Sequence, residues 1–326
     1  MTPHGETRAQ YAEFARHTAG QSDCFTDWAD AVVADPDVLA WIDSLPGIKR
    51  QPNLVFAAAR WHGVPAPGPY AGLREALLGD DGAIRATILE RATQTNEVGR
   101  LATLVPAFCA VAAGRPVAVL EAGASAGLTL YPDRWGYAWS TPDAVVEVGP
   151  EPRLNCVVTG PAPLPTSLPE ITWRGGLDLK PIDVADEDSL RWLETLVWPE
   201  DEPRRARLRH AAEIALADPP ALVRGDMLHD LPDLIAEAGE HGPVIVFHSA
   251  VAAYLSDEDR GRFDTLMQEL VAQGACHWIS NEAPGVVPSL SATIPANREK
   301  TAFVLGIDGS AVAFTHGHGR SLDWIG

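Results

Sequence analysis

The apolar positions along the chain change period partway through. Up to about residue 115 they recur at helical spacing. Thr7 to Thr18 places Tyr11, Phe14 and Ala15 along one face, Ser22-Asp23 can cap a segment running to Val33, and Asn53 can cap Leu54 to Trp61. The Pro- and Gly-rich run from Gly63 to Gly72 predicts a loop. Gly82 to Ala113 reads as a long helical pattern kinked at Pro106. No strand is expected before Val117, so residues 1–115 read as a helical cap or substrate domain.

From Val117 onward short apolar runs alternate with amphipathic stretches. Strands are expected at Val117–Glu121, Ile171–Arg174, Ala221–Arg224, Val244–His248 and Ala275–Ser280. Helices are expected from about Ser125, over Asp188–Ala217 with a break at Trp198-Pro199, and over Leu231–Ala238 and Asp257–Gln273. Residues 137–170 are proline-rich and show short β-like pieces, Val145–Val148 and Asn155–Val158, which read as an insertion. Thr301–Ile307 and Ala311–Phe314 flank Asp308-Gly309-Ser310, a hairpin signal. The alternation predicts an α/β domain over 116–326, its sheet mainly parallel and finished by a C-terminal antiparallel hairpin.

Composition narrows the class without changing this picture. The 326 residues are 46 % apolar and 21 % charged, as in an ordinary soluble globular chain. The apolar runs are far shorter than the roughly 18 residues of a membrane helix. No basic segment followed by an apolar one opens the chain, so a cytoplasmic location is expected. A net charge of −19 disfavours nucleic acid or an anionic membrane as partner and leaves a small-molecule substrate as the expected one. The dense basic run Arg204–Arg209 follows Glu200, Asp201 and Glu202 and reads as a solvated helix face. Cys24, Cys109, Cys156 and Cys276 are far apart, and His316-Gly317-His318 has no companion at metal-ligand spacing. Neither a disulfide framework nor a metal site is expected.

The chemistry concentrates on Val117 to Leu128. An apolar strand ends in Glu121, and the small residues Ala122 to Gly127 follow. An acid at the carboxyl end of a parallel strand faces the crevice where such sheets bind ligands. Glycines allow close approach of a ligand to the backbone, and a helix beginning at Ser125 would offer free N–H groups. The pattern E-x-G-x-S-x-G fits the first motif of S-adenosylmethionine-dependent methyltransferases. On that reading Glu121, Gly123, Ala124, Ser125 and Gly127 contact S-adenosylmethionine. Asp178, after the second strand, could accept both ribose hydroxyls, with Asp133, Asp143 and Asp183 as alternatives. Asp226, after the third, could receive the adenine amino group or cap a helix. His248 is a candidate general base, with Glu282 and Tyr254 as further catalytic candidates. Gln94, Asn96, Glu97 and Arg100 could line a polar substrate cleft or lie on a solvated helix face. The reading needs the Gly123 bend open and Glu121 turned toward a cavity.

The same residues contain G-x-S-x-G, the nucleophile elbow of α/β hydrolases. Ser125 would then be the nucleophile of a serine esterase, with Asp226 or Asp233 and His248, His316 or His318 completing a triad. The helical character of the region before Val117 and the acid at Glu121 count against it. A nicotinamide-dependent enzyme and a non-catalytic cofactor-binding protein are the remaining alternatives.

Gln94-Thr95-Asn96-Glu97, Glu121 to Leu128, Trp192-Leu193 with Val197-Trp198-Pro199, and Val246-Phe247-His248-Ser249 together resemble an uncharacterised bacterial family, a domain of unknown function. The resemblance covers most of the chain. It implies a Rossmann-like core grouped with the class I methyltransferases, and it brings no settled substrate. The expected activity is direct methyl displacement onto a small-molecule acceptor.

Overall fold

The computed structural model describes residues 4–94, 96–294 and 303–326. Six helices come first: α1 (Gly5–Thr18), α2 (Asp23–Ala34), α3 (Pro36–Asp43), α4 (Pro52–Trp61), α5 (Tyr70–Leu78) and α6 (Ala83–Glu90). A 3-10 turn, Val98–Arg100, leads into α7 (Leu101–Ala112) and β1 (Val117–Ala122). Then come β2 (Gly136–Ser140), β3 (Val145–Val148), β4 (Arg153–Thr159), β5 (Ile171–Asp178), α8 (Glu187–Leu196), α9 (Glu202–Ala217) and β6 (Ala221–Arg224). The chain continues through α10 (Leu231–Gly239), β7 (Val244–Ser249), α11 (Asp257–Ala272), β8 (His277–Glu282) and α12 (Pro288–Thr293). It finishes with β9 (Phe303–Ile307), β10 (Ser310–Thr315) and β11 (Ser321–Trp324).

Two compact units result, Met1–Thr95 with Ala185–Arg209, and Asn96–Val184 with His210–Gly326. The helix α7, which the apolar pattern groups with the N-terminal helices, lies in the second. The first unit is helical and packs around Tyr11, Phe25, Trp28 and Phe56, all fully buried or nearly so. Ser22 caps α2 as its sequence position suggests, and Asp35 caps α3, a helix the apolar pattern did not separate. Asn53 does not cap α4: that helix starts at Pro52, and Asn53 donates to the Leu196 carbonyl at 3.3 Å. The break at Trp198-Pro199 separates α8 from α9 as expected. The basic run is not wholly a solvated face: Arg204 is buried, while Arg205 pairs with Glu202 and Arg209 with Glu194.

Among the described residues of the second unit eleven strands form one sheet, ordered β3-β2-β4-β11-β10-β9-β8-β7-β1-β5-β6. The five strands β6-β5-β1-β7-β8 are mutually parallel. Every residue of β1 is buried, because both faces of a central parallel strand are covered. On one face Ala118, Leu120 and Val246 meet Ile235 of α10 and Phe263 and Met267 of α11. On the other, Phe247 packs edge-on against Phe108 of α7, centroids 5.1 Å apart.

Several expectations are corrected. No helix begins at Ser125; the chain turns from Gly123 to Trp135 and enters β2 directly. Arg174 of β5 holds this stretch, bonding Asp133 through two nitrogens (2.9 and 3.1 Å) and the Leu130 carbonyl at 3.0 Å. Pro132 also biases Tyr131 away from helical angles. The β-like pieces expected in residues 137–170 are β3 and β4, and with β2 they extend the sheet through parallel pairing of β4 with β11. The hairpin of β9 and β10 is present, but β11 follows it and pairs on to β4, so the hairpin lies inside the sheet. The pattern from Gly82 to Ala113 is two helices separated by a non-helical polar run. Thr95 and Thr301, one in that run and one at the expected start of the hairpin, lie outside the described residues.

Candidate functional site

Strand order alone marks one place in the second unit. β1 has β5 on one side and β7 on the other; the chain runs outward from β5 to β6 and then returns across β1 to β7 and β8, so strand order reverses at β1. In open parallel sheets the carboxyl ends of the strands at such a switch point border the ligand crevice. Here those ends carry Glu121, His248 and Ser249, with Glu282 at the end of β8.

Register divides these side chains between two faces. Glu121 pairs with Phe247 and therefore shares its face, so His248, one residue on, points to the other. Ser280 pairs with His248 and Asn281 with Ser249, so Ser280 lies with His248 and Asn281 with Glu121. Glu121 and the His248–Glu282 pair thus belong to separate buried centres.

On the α7 face Glu121 is 4 % exposed. Its Oε1 accepts a hydrogen bond from the Thr129 hydroxyl at 2.5 Å, and its Oε2 is buried without a partner among the described residues. Burial pushes the Glu121 carboxyl up to about 8; the Asp178 charge adds to this, while the Thr129 hydroxyl and the Arg100 charge pull the other way. At neutral pH this carboxyl is mostly protonated. Buried Arg100 donates to the carbonyls of Gly317 at 2.8 Å and Ser249 at 3.1 Å. Asn281 donates to the Ser249 hydroxyl and accepts from Thr315.

On the α11 face His248 Nδ1 lies 2.8 Å from Glu282 Oε1, which also accepts the N–H groups of Val251 at 3.0 Å and Ala252 at 3.1 Å. The ring is fully buried, near-parallel to Trp278 and edge-on to Phe263. His248 Nε2, Ser280 Oγ and Glu282 Oε2 are buried there without hydrogen-bond partners among the described residues. Tyr254 is exposed in the 3-10 turn Ala252–Tyr254.

The small-residue bend is not open. Gly123 adopts φ +75°, and a Cβ there would lie 2.3 Å from Val251 Cγ2, so a valine fills the space the glycine leaves. Across the bend Gly176 admits Ala124, whose Cβ would lie 2.5 Å from a Cβ at that glycine. Each N–H from Gly123 to Leu128 has an internal acceptor. Leu177 O takes those of Gly123 and Ala124, and Ala124 O takes that of Gly127. Asp178 Oδ2 takes Ser125 at 2.9 Å, and Asn96 Oδ1 takes Ala126 at 2.9 Å and Leu128 at 3.1 Å. The expected row of free N–H groups is absent from this bend.

The remaining candidates are also placed. Asp178 Oδ1 accepts the Lys180 N–H at 2.8 Å, so its carboxylate fastens two turns. Asp226 accepts the Leu228 N–H at 2.8 Å and lies half-buried after the edge strand β6, a local turn role. Asn96 bonds the glycine bend, Glu97 caps the 3-10 turn Val98–Arg100 by accepting the Gly99 N–H, and Arg100 reaches the turn at Gly317. Gln94 is half-buried at the end of the first unit. Thr129, Val251, Ser280 and Asn281 were not singled out by sequence. Pro132, after Thr129, was the available sign that no helix would carry that residue. Among the described residues no group of three or more His, Cys, Asp or Glu side chains could hold a metal, and no helix is long and apolar enough to cross a membrane.

Residues 8–324 match the family described as an uncharacterized protein conserved in bacteria (DUF2332), and the chain belongs to that family. No curated protein matches the chain.

Proposed function

We propose that the second unit binds a small cationic molecule at the carboxyl ends of β1 and β7, with S-adenosylmethionine the leading candidate, and transfers its methyl group to a small-molecule acceptor. The observation that carries the reading is Glu121, buried at the switch point with one oxygen unpartnered. An unsatisfied buried carboxyl is costly unless a ligand completes it. A positive ligand favours the ionised form, so binding would drive the Glu121 proton to solvent. The parallel order β6-β5-β1-β7-β8 matches the first five positions of the Rossmann order, with acids after its first two strands.

The residues fit such a cofactor in charge and not in space. Glu121 and Asp178 offer carboxylates, but the bend gives no free N–H group and Val251 occupies it. Recognition would therefore fall on side-chain carboxylates. When bound, the sulfonium supplies an already activated methyl group, and the protein's part is alignment and exclusion of water. His248 and Glu282, on the opposite face from Glu121, hold the turn after β7 in place. The closed bend favours a second reading, binding without turnover. A serine nucleophile at Ser125 has less support, because an elbow needs a strand-to-helix turn and this chain makes none there.

Isothermal titration of the full chain with S-adenosylmethionine and with its demethylated product tests the proposal. Micromolar binding, lost in Glu121→Gln while the fold is retained, is the expected result. No heat from either compound with folded protein removes it. Binding without methyl transfer to any acceptor in a screen leaves the second reading.

A further inference from the structure

We infer that the α11 face of the sheet holds a bound water molecule between β7 and β8, hydrogen-bonded by His248 Nε2, Ser280 Oγ and Glu282 Oε2. The site is independent of the cofactor reading, since it lies on the face opposite Glu121. Register brings the three side chains together. His248 pairs with Ser280 across the two parallel strands, and Glu282 follows Ser280 on the same face. His248 Nδ1 lies 2.8 Å from Glu282 Oε1. Nε2 is two bonds beyond Nδ1 and Oε2 two bonds beyond Oε1, so these two unpartnered atoms flank that contact. Trp278, two residues before Ser280 on the same face, adds an unpartnered indole N–H among the described residues. None of the four side chains belongs to a residue more than 1 % exposed.

Burying a polar atom without a partner is costly, and adjacent atoms of this kind call for one shared partner. The core above them supplies none: α11 and α12 contribute Phe263, Met267 and Leu290, all apolar. Leu290 fills the space beside Gly306, which pairs with Ser280 from β9; a Cβ at that glycine would lie 2.2 Å from Leu290 Cδ2. Room is left by Ser280 itself, which is smaller than His248, Trp278 and Glu282 around it and bonds none of them. Polarity then selects the occupant. Glu282 Oε1 accepts the N–H groups of Val251 and Ala252, so it also accepts from His248, and Nδ1 is the donor. In the neutral ring Nε2 then carries a lone pair. The site thus offers acceptors at Nε2 and Oε2 and donors at the Ser280 hydroxyl and the Trp278 N–H. An anion would meet the Glu282 carboxylate, and a metal ion would find too few ligating side chains. Water both donates and accepts, and a buried water makes about three hydrogen bonds. Bound here, it fixes the imidazole from the side that Glu282 leaves open.

A crystal structure of the full chain that resolves ordered solvent tests the site directly. The expected result is one water peak within hydrogen-bond distance of His248 Nε2 and Ser280 Oγ. A direct hydrogen bond between His248 and Ser280, or no peak, would overturn the assignment. Urea unfolding reads the same site by sign. A hydroxyl buried alone costs stability, so without the water Ser280→Ala would leave the folding equilibrium constant unchanged or raise it. With the water bound, the variant loses a hydrogen bond and the constant should fall about fivefold. Oxygen-17 relaxation dispersion should count one long-lived water fewer in Ser280→Val, whose added methyl group takes the place of the water, than in the wild type. Equal counts in two folded proteins would show that no water sits there. If the valine variant does not fold, the crystal structure and the alanine variant still decide.

Discussion

Glu121 and Glu282 end strands two places apart in the same sheet, and both are almost completely buried. Their surroundings treat them oppositely. One oxygen of Glu282 receives two backbone N–H groups and an imidazole nitrogen. Glu121 receives a single hydroxyl and is pushed up to about 8. Both keep one buried oxygen without a partner among the described residues, but Glu282 is tied to the turn after β7 by three partners and Glu121 to the Thr129 hydroxyl alone. Perturbed groups with unfilled capacity mark functional sites more often than satisfied ones do. Residue type alone does not separate the two.

The comparison can be broken by stability measurements. Glu282→Ala should cost about 2–4 kcal/mol in urea unfolding, because it removes the shared acceptor of the His248 ring and of the Val251 and Ala252 N–H groups. Glu121→Gln should cost far less, since the amide keeps the shape without a charge to bury. Equal losses would erase the distinction.

pH separates them next. Glu121 has a folded pKa of about 8 against an ordinary value of 4.5, so the folded state keeps a proton the unfolded chain has released. Its contribution is fully present below pH 4.5 and is lost as pH rises to 8. The slope is about 1.4 kcal/mol per pH unit inside that window. Unfolding free energies measured from pH 5 to 8 should show this fall in the wild type and a flatter profile in Glu121→Gln. A wild-type curve as flat as the variant's would show that Glu121 is already ionised.

Smaller effects sharpen the picture of the bend. Asn96→Ala removes the shared acceptor of Ala126 and Leu128 and should cost about 2 kcal/mol. An unchanged denaturation midpoint would mean that Asn96 does not hold the loop. Thr129→Val should cost about 1 kcal/mol and raise the Glu121 pKa further, because the lost hydroxyl favoured the charged form. A lowered Glu121 pKa by carboxyl NMR titration would contradict that assignment.

Much of the parallel core was legible because buried strands leave short apolar runs. Val117–Glu121, Val244–His248 and the hairpin at Asp308-Gly309 all stand where the pattern puts them. In 136–159 the pieces Val145–Val148 and Asn155–Val158 fall on β3 and β4, whereas β2, Gly136–Ser140, was not read because its five residues carry glycine, alanine and serine alongside two aromatics and show no clear apolar run. The polar run Asn96–Arg100 could be seen as unusual, but its partners are about thirty and over two hundred residues away. Separation of that kind is invisible to local periodicity.

The sequence by itself determined that an acid and a run of small residues end a central strand, because both follow from local order along one segment. Whether that bend is open was decided by tertiary structure, since Val251, Asn96 and Asp178 arrive there from three other segments. The same holds for the division between faces. A strand's alternation is local, but which neighbour lies in register with Glu121 is fixed only when β7 packs beside β1.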